Sequence, residues 1–537
     1  MNERQIREAK QLLDGYLIED EIPTLQTYKL FHDIYEKNLL PIKNNICFSS
    51  ALVVMLCHLS RPLNWFKFNI YLYQEANKPH IPINVYGMNI LRSGGGKGLT
   101  TNTMNALLNL KQHQIDYIDN VIDREGNEEE IACLKDIASA ELQDSATTAG
   151  LRYINKQLNN CFDELKISNT FGSVFFNLEE FADTLENATK FDKDFLSTLK
   201  NLYDLGNTGA KAINDTIKGS IENFGVSFLA STTEKTLQEN PQVSREFNKY
   251  LISGSARRSL LSMPCAQEVQ ELEQRNNKDD GLSLLEWHEA TRYHDDGQVD
   301  DIKKRLYATI KKFIKWKKQC ETQIYVDNDT YFYYRVYKEY CSKKSEDINN
   351  AILKVEMEGR HWKALKISAI LLLYCTTEGN VITPNLFLEG IKIVEYYGHH
   401  LKRYLNNQVS TCADKIVELL LDNDCAIEKA SLSKNNEVLS YNKKGEPAGK
   451  FVEAQIPEVE ELLSTMNYEL VIQKAGYKNK TTLYAAIKKD AFDNYKIDNK
   501  PPYKIFNNIP KMSAEDLIGA SSNKKSDPLS RCLQKTS

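Results

Sequence analysis

Three consecutive glycines precede a lysine at position 97, and a fourth glycine follows it. The run 84–91 before them is apolar and β-prone, and residues 102–110 after them are compatible with a helix. Glycines let backbone N–H groups turn toward phosphate oxygens, a lysine adds positive charge, and the N-terminus of a helix favours an anion. The pattern predicts a phosphate-binding loop; the alternative is a plain glycine turn with a solvated lysine. The candidate nucleotide-binding residues here are Ser93, Gly94, Gly95, Gly96, Lys97, Gly98, Thr100 and Thr101.

The loop departs from the usual G-x-x-x-x-G-K-[ST] pattern at two positions. Leu91 stands where the first glycine is expected, and Gly98 replaces the hydroxyl residue that ligates Mg²⁺ after the lysine. Thr101 follows Gly98 by three residues, so on a helix both lie near the same face. The hydroxyl of Thr100 or Thr101 is therefore the candidate for the missing magnesium contact, and weakened hydrolysis is the alternative consequence.

A pair of glutamates, Glu179 and Glu180, follows the apolar run 172–176. The carboxyl ends of strands are where ligands bind in open α/β sheets. One such carboxylate can hold Mg²⁺ through water, and the other can orient or deprotonate an attacking water. The alternative is a solvated helix start, because glutamate in a first turn also complements the helix dipole.

Polar residues also follow two further apolar runs. The run 225–230 leads into Ser231, Thr232 and Thr233, where a side chain can sense a γ-phosphate or cap the helix predicted at 234–238. Arg257 and Arg258 stand directly before the run 259–263. Arginine binds phosphate oxygens bidentately and stays charged, so the pair suits an arginine finger, with surface ion pairing as the alternative.

The elements that must position these residues alternate in type. Between residues 83 and 275, short β-like runs are separated by amphipathic helical stretches, which favours an α/β domain with a mainly parallel sheet. Helical patterns dominate the residues before and after this stretch. The predicted regions are a helical N-terminal region 1–80, a core 81–275, a helical extension 276–406, a winged-helix domain 407–510 and a flexible tail 511–537.

The C-terminal region carries a separate signal. Residues 470–489 read as a helix, a turn and a second helix, with polar and basic residues where the second helix begins. Lys478, Lys480 and Thr481 are therefore the predicted DNA contacts, because such positions reach bases and phosphates in helix-turn-helix proteins. A protein-binding role is the alternative.

Composition limits the function classes. The chain has 537 residues and a net charge of −5, so contacts with nucleic acid must come from local patches. Its 11 cysteines include no C-x-x-C pair, which is typical of reduced thiols in the cytoplasm. The first residues lack the apolar core of a signal peptide, and no apolar run is long enough to span a bilayer. A cytoplasmic protein without a membrane partner is expected.

The order of these motifs over residues 30–405 resembles a known family. After the glycine loop come residues 147–151 (TTAGL), the glutamate strand, the Ser231–Thr233 strand, and the twin arginines running into Ser262-Met263-Pro264. The helical segments 360–367 and 382–396 complete the pattern. Together they are similar to the RecA-like P-loop ATPases of phage and plasmid replication modules, often described as primase-helicase or helicase-like proteins.

The resemblance implies ATP hydrolysis with Mg²⁺ by a RecA-like core in a ring of identical subunits, six being the expected number. Lys97 would be the phosphate lysine, Glu179 the acid on the Mg²⁺ side through water, and Glu180 the catalytic acid. Arg257 or Arg258 would reach the nucleotide of a neighbouring subunit. The expected function is a helicase or translocase-type motor on single-stranded DNA, aided by replication partner proteins. The alternative is a hydrolysis-deficient nucleotide-binding loader, since the acids are Glu-Glu rather than Asp-Glu.

Overall fold

The chain divides into two units in its computed structural model: residues 1–348 with 352–407, and residues 408–537 with 349–351. The predicted regions 1–80, 81–275 and 276–406 contribute to one hydrophobic core in the first unit. The structure describes residues 29–40, 45–72, 80–92, 94–121, 128–137, 139–143, 148–166, 172–186, 190–206, 211–213, 216–218, 220–221, 224–279, 298–319, 322–348, 350–376, 379–406, 412–422, 426–442, 445–465, 468–475 and 481–488.

Helices make up most of the first unit. They are α1 (Lys29–Ile34, continued by the π-helical turn Tyr35–Leu39), α2 (Phe48–Trp65), α3 (Lys97–Leu108), α4 (Leu110–Val121), α5 (Glu128–Ile137), α6 (Thr148–Glu164), α7 (Phe181–Glu186), α8 (Lys190–Leu205), α9 (Glu234–Glu239), α10 (Pro241–Tyr250, continued by the π-helical turn Leu251–Ser255), α11 (Ala266–Asp279), α12 (Gln298–Lys318), α13 (Asn328–Glu346), α14 (Ala351–Cys375) and α15 (Pro384–Asn406). No helix of the described ranges is both long and apolar enough to cross a bilayer.

The strands described in the first unit form three sheets. They are β1 (Asn69–Tyr71), β2 (His80–Pro82), β3 (Tyr86–Leu91), β4 (Ser139–Gln143), β5 (Ser173–Leu178), β6 (Lys211–Ile213), β7 (Thr216–Lys218), β8 (Gly225–Thr233), β9 (Ser259–Ser262), β10 (Gln323–Val326) and β11 (Val381–Ile382). A small mixed sheet has the order β11-β10-β1-β2, and β6 pairs with β7.

The central sheet has five strands in the order β4-β5-β8-β3-β9, and every neighbouring pair is parallel. Its inner strands β3, β5 and β8 are buried almost throughout, which is why they are continuous apolar runs rather than alternating ones. The predicted α/β class with a parallel sheet is confirmed. Because the strands are parallel, the segments that follow β3, β5 and β8 meet at one edge.

Helix α2 covers one face of this sheet. It is buried around its whole circumference, and two buried polar contacts attach it to β8. The hydroxyls of Ser60 and Ser227 lie 2.7 Å apart, and the Asn64 amide donates to Ser227 Oγ at 2.7 Å. Helix α2 is therefore held in register with the central strand.

The second unit combines helices with a three-stranded sheet. Its elements are α16 (Cys412–Asp422), β12 (Ala426–Glu428), α17 (Lys429–Leu432), α18 (Asn436–Leu439), α19 (Ala448–Thr465), β13 (Tyr468–Ala475) and β14 (Thr481–Lys488). The sheet order is β12-β14-β13 with antiparallel pairing.

The helix-turn-helix predicted for residues 470–489 is wrong. This segment is the hairpin β13–β14, paired from Tyr468–Lys488 to Ala475–Thr481. Thr481 begins a strand rather than a helix, and Lys478 and Lys480 lie outside the described residues. Short apolar runs suit a strand as well as a helix, and pairing with the distant β12 decides in favour of the strand.

Candidate functional site

The loop between β3 and α3 needs glycine for its shape. Gly94 has φ +76° and Gly96 has φ +74°, a left-handed conformation that residues with a Cβ rarely adopt. The N–H of Gly95 donates to the carbonyl of Arg92 at 3.0 Å, which closes the turn. Ser93 lies outside the described residues. The chain thus turns sharply from the strand end into the first turn of α3.

The first turn of α3 presents backbone donors to this loop. The first N–H groups of a helix have no acceptor within it, so they are available to an anion. Thr100 is the first residue whose N–H finds a helical partner, the carbonyl of Gly96 at 3.0 Å. The loop and helix start therefore have the geometry of an anion site.

Both threonines of this turn, the candidates for the missing hydroxyl at position 98, are buried. The Thr100 hydroxyl donates to the Gly96 carbonyl at 2.9 Å and is fully buried. Thr101 is buried as well, and it lies about one turn farther along α3 than the loop. The magnesium contact expected of Thr100 or Thr101 therefore stays a prediction.

Lys97 contacts both glutamates that follow β5. Its ammonium donates to the backbone carbonyl of Glu179 at 2.7 Å and forms an ion pair with the carboxylate of Glu180. The Lys97 side chain is 26% exposed and that of Glu180 is 57% exposed, so a ligand can reach both. The strand order joins two motifs that are about 80 residues apart in sequence.

The carboxylate of Glu179 faces the glycine that departs from the usual pattern. A Cβ placed on Gly98 would lie 3.9 Å from Glu179 Oε2 and 4.0 Å from Oε1. Asn177, near the end of β5, donates to Oε1 at 3.4 Å. The space beside Gly98 is thus bordered by a carboxylate.

The two threonines at the end of β8 have different roles. Thr233 caps α9, because its hydroxyl accepts from the Thr236 N–H at 3.2 Å. Thr232 is 4% exposed, and its hydroxyl has no hydrogen-bond partner among the described residues. Thr232 pairs with Ile90 on β3. Its strand, β8, lies between β3, which leads into the glycine loop, and β5, which leads into the glutamates. The capping alternative therefore holds for Thr233, while the Thr232 hydroxyl is left for another partner.

Arg257 and Arg258 lie at the amino ends of the strands, whereas the glycine loop and the glutamates follow the carboxyl ends. They precede β9, whose first residue pairs with Tyr86 at the start of β3, whereas the glycine loop follows the end of β3. A strand of that length spans roughly 17 Å. Neither arginine therefore reaches the glycine loop of its own chain.

Arg258 and Arg257 are held differently at that edge. Arg258 forms an ion pair with Asp204 and donates to the Gly254 carbonyl at 2.8 Å. The guanidinium of Arg257 has no hydrogen-bonding or ion-pair partner within the described ranges, although its backbone packs against Gly359 of α14. Arg257 is thus the arginine that stays available.

A cavity of about 600 Å³ opens beside the glycine loop, on the β9 side. Its volume is in the range of small-molecule sites. Its rim includes the ion pair between Arg92 and Glu273, at 3.2 Å. The apolar walls come from both strand ends and from α11: Ile90, Leu91, Met263, Pro264, Val269 and Leu272. No sequence motif marks this cavity, because its residues come from five separate segments.

The site residues fit a nucleotide-bound Mg²⁺ better than a protein-only metal centre. Among the described residues, no three His, Cys, Asp or Glu side chains gather as a metal site. Mg²⁺ in nucleotide sites is commonly held by one or two carboxylates, water and the phosphates themselves. The open space at Gly98 beside the Glu179 carboxylate matches that requirement.

A buried cluster that the sequence analysis missed fixes the direction of α3. Arg61 of α2 donates to Asn105 Oδ1 of α3 at 2.5 Å and to Glu141 Oε2 of β4 at 3.2 Å, and its guanidinium stacks 4.4 Å from the Phe175 ring. No pattern in the sequence links these residues, because they come from four separate elements.

No family model matches the chain, and a search of curated proteins finds none with significant sequence similarity.

Proposed function

We propose that this chain is a RecA-like P-loop ATPase that acts as a DNA helicase or translocase-type motor of phage or mobile-element replication in the cytoplasm. The observation that carries the proposal is the contact of Lys97 with the glutamates, at the end of a glycine turn that requires positive φ. A phosphate loop and a carboxylate pair at one edge of a parallel sheet are what phosphoryl transfer to water needs.

The cavity supplies a place for the rest of the nucleotide. Its opening includes Gly94 and Gly95, so a triphosphate on the loop would extend its nucleoside toward the walls of Met263 and Pro264. Apolar walls with a few polar groups suit a purine base and its sugar. ATP is therefore the proposed ligand.

The residues would divide the reaction as follows. Lys97 and the first N–H groups of α3 bind the phosphate oxygens and offset their charge. Glu180, once Lys97 turns to phosphate, accepts a proton from the attacking water and orients it. The Thr232 hydroxyl is placed to bond the γ-phosphate or that water. Bound Mg²⁺ would add further positive charge at the β- and γ-phosphates.

Arg257 is the proposed arginine finger, and it would act on the nucleotide of a neighbouring subunit. It lies at the opposite edge of the sheet from its own loop, and Arg258 is engaged by Asp204. A head-to-tail interface that closes into a ring would bring that edge against the next subunit's site. A ring of six subunits is the expected assembly.

The second unit is proposed to be a winged helix, with the β13–β14 hairpin as the wing and α19 as the helix before it. The exposed face of α19 carries Glu453 and Glu460 against Lys450, and Lys429 pairs with Glu453, so the described side chains give this face no excess of positive charge for a phosphate backbone. We therefore propose that DNA contact in this unit comes from Lys478 and Lys480, which lie in the sequence between β13 and β14 and outside the described residues. Single-stranded DNA and replication proteins are the proposed partners.

One observation favours a second function, a nucleotide-dependent loader with little turnover. Gly98 brings no hydroxyl to the loop, and the nearby Thr100 hydroxyl is buried and donates to the Gly96 carbonyl. Such a protein would bind ATP as a switch for recruiting replication partners.

ATPase assays with and without single-stranded DNA test the proposal and separate the two functions. A motor should hydrolyse ATP and be stimulated by DNA. Lys97→Ala should weaken ATP binding by about 10- to 100-fold, since charged hydrogen bonds contribute roughly 1.5–3 kcal/mol each. Glu180→Gln should keep ATP binding and lower turnover by at least about 100-fold. ATP binding without turnover in the native protein would favour the loader, and absence of ATP binding would refute both.

A further inference from the structure

The atypical glycine of the loop and the atypical glutamate of the acid pair lie side by side. Gly98 stands where a hydroxyl is usual, and Glu179 has one methylene more than the aspartate usual at its position. We propose that these two departures compensate each other: the carboxylate of Glu179 binds the nucleotide's Mg²⁺ directly, in place of the hydroxyl that Gly98 lacks. This inference rests on the proposed nucleotide function.

The space around Gly98 supports direct binding. A Cβ at this position would be in van der Waals contact with both carboxylate oxygens of Glu179, at 3.9 and 4.0 Å. A hydroxyl one bond beyond that Cβ would compete with the carboxylate for the same space. With glycine there, the carboxylate faces an opening at the first turn of α3.

The hydrogen bonds of Glu179 leave one oxygen for a metal. Oε1 accepts from Asn177 Nδ2 at 3.4 Å, which fixes the direction of the carboxylate as outer-shell partners do at metal sites. Oε2 is the oxygen closer to the position of the Gly98 Cβ, and no hydrogen bond to it exists within the described ranges. An ionised carboxylate oxygen is a preferred Mg²⁺ ligand.

No other candidate ligand of the described residues borders this space. Apart from the two chain neighbours of Gly98, the two Glu179 oxygens are the only side-chain atoms there within 4 Å of the Gly98 Cβ position, so the Glu180 carboxylate and the Thr100 hydroxyl both lie farther away. Glu179 is therefore the acid beside the position where a hydroxyl is usual. Its side chain is one methylene longer than that of aspartate, so its carboxylate can reach the Mg²⁺ directly, whereas an aspartate binds the ion through water.

The test is a comparison of ADP affinity with Mg²⁺ and with EDTA, measured by fluorescence with a labelled ADP. The Mg²⁺-dependent gain in affinity is the readout, and it is independent of turnover. Glu179→Asp should lower this gain by about 10- to 100-fold and leave the affinity in EDTA unchanged. Glu164→Asp, the same substitution on the exposed end of α6, should change neither value.

A double variant decides between direct and water-bridged binding. Gly98→Ser combined with Glu179→Asp restores the usual hydroxyl and shorter acid together, so it should recover most of the gain that Glu179→Asp loses. Gly98→Ser alone should reduce the gain, because the new side chain crowds the carboxylate. A double variant no better than Glu179→Asp, or a Glu179→Asp variant with the full gain, would overturn the inference. A native protein that binds no ADP under either condition would instead refute the proposed function.

Discussion

At the residue scale, the central contact is the ion pair between Lys97 and Glu180. This pair joins the lysine that we propose binds phosphate to the acid that we propose activates water. In the proposed function, ATP binding would exchange this partner for phosphate, so the event that fills the site would also release Glu180. Both side chains are partly exposed, which keeps the pair weak enough to be exchanged.

The two adjacent threonines of β8 allow a matched test of the proposed γ-phosphate contact. Thr232→Val removes a buried hydroxyl that lacks a described partner, so the free energy of unfolding should stay unchanged or rise. Turnover should fall by about 10- to 100-fold if that hydroxyl bonds the reacting phosphate. Urea denaturation and ATPase rates measure the two effects.

Thr233→Val is the control for this prediction, because it removes the cap of α9 instead. It should lower the free energy of unfolding by about 1 kcal/mol and leave turnover close to native. Equal turnover in both variants would show that the Thr232 hydroxyl does not take part in the reaction.

At the element scale, helices α14 and α15 support the edge strand β9. Lys363 of α14 is buried, pairs with Glu356 at 2.6 Å and donates to the Ser259 carbonyl at 3.2 Å. His400 of α15 accepts from the N–H of Met263, just after β9, at 3.0 Å. These contacts fix both ends of β9, one beside the arginines and the other beside the cavity.

The contact of His400 predicts a stability that depends on pH. Burial, and then the charge of Arg403, hold the pKa of His400 well below its ordinary value. The unfolded chain therefore binds a proton that the native chain does not, so stability is complete above about pH 6.5 and falls as the pH drops below it. The loss approaches about 1.4 kcal/mol per pH unit for one such group.

His400→Gln isolates this effect, because glutamine keeps an acceptor and does not titrate. Its unfolding free energy should fall less steeply than the native value between pH 6.5 and pH 5. The remaining slope includes His58, whose pKa is also lowered by burial and by Arg61. Tryptophan fluorescence during urea unfolding reports on the first unit alone, since all four tryptophans lie there. Identical slopes in the two proteins would contradict the prediction.

The elements differ in how far the sequence predicts them. The inner strands β3, β5 and β8 are predictable because strands buried on both faces are continuous apolar runs. The edge strand β4 has no β-branched residue and gives no such signal. The sequence wrongly predicts helices for the hairpin β13–β14, because short apolar runs suit either element and the partner strand β12 lies far away in sequence.

At the scale of the whole molecule, the proposed ring predicts that active sites are shared between subunits. Arg257→Ala and Lys97→Ala proteins should each be inactive alone and regain ATPase activity when mixed. In an equal mixture of the two variants, random assembly would give about one site in four a native loop from one subunit and a native Arg257 from the next. The measurement is ATPase rate against mixing ratio after subunit exchange.

A second mixture is the control for complementation. Lys97 and Glu180 contact each other within one chain, so Lys97→Ala mixed with Glu180→Gln cannot restore any site. Recovery in both mixtures, or in neither, would argue against a shared site with Arg257.

The sequence alone determines the parts of this protein that depend on local chemistry. A glycine loop with its lysine, apolar strands ending in glutamates or threonines, and twin arginines are all readable, because backbone preference and burial act on neighbouring residues. Only the tertiary structure decides which of them meet. The order β5-β8-β3 brings Glu179 to Gly98, leaves Thr232 buried between the two motifs, and sends both arginines to the far edge. Strand order depends on packing between distant segments, so the periodicity within a single segment does not predict it.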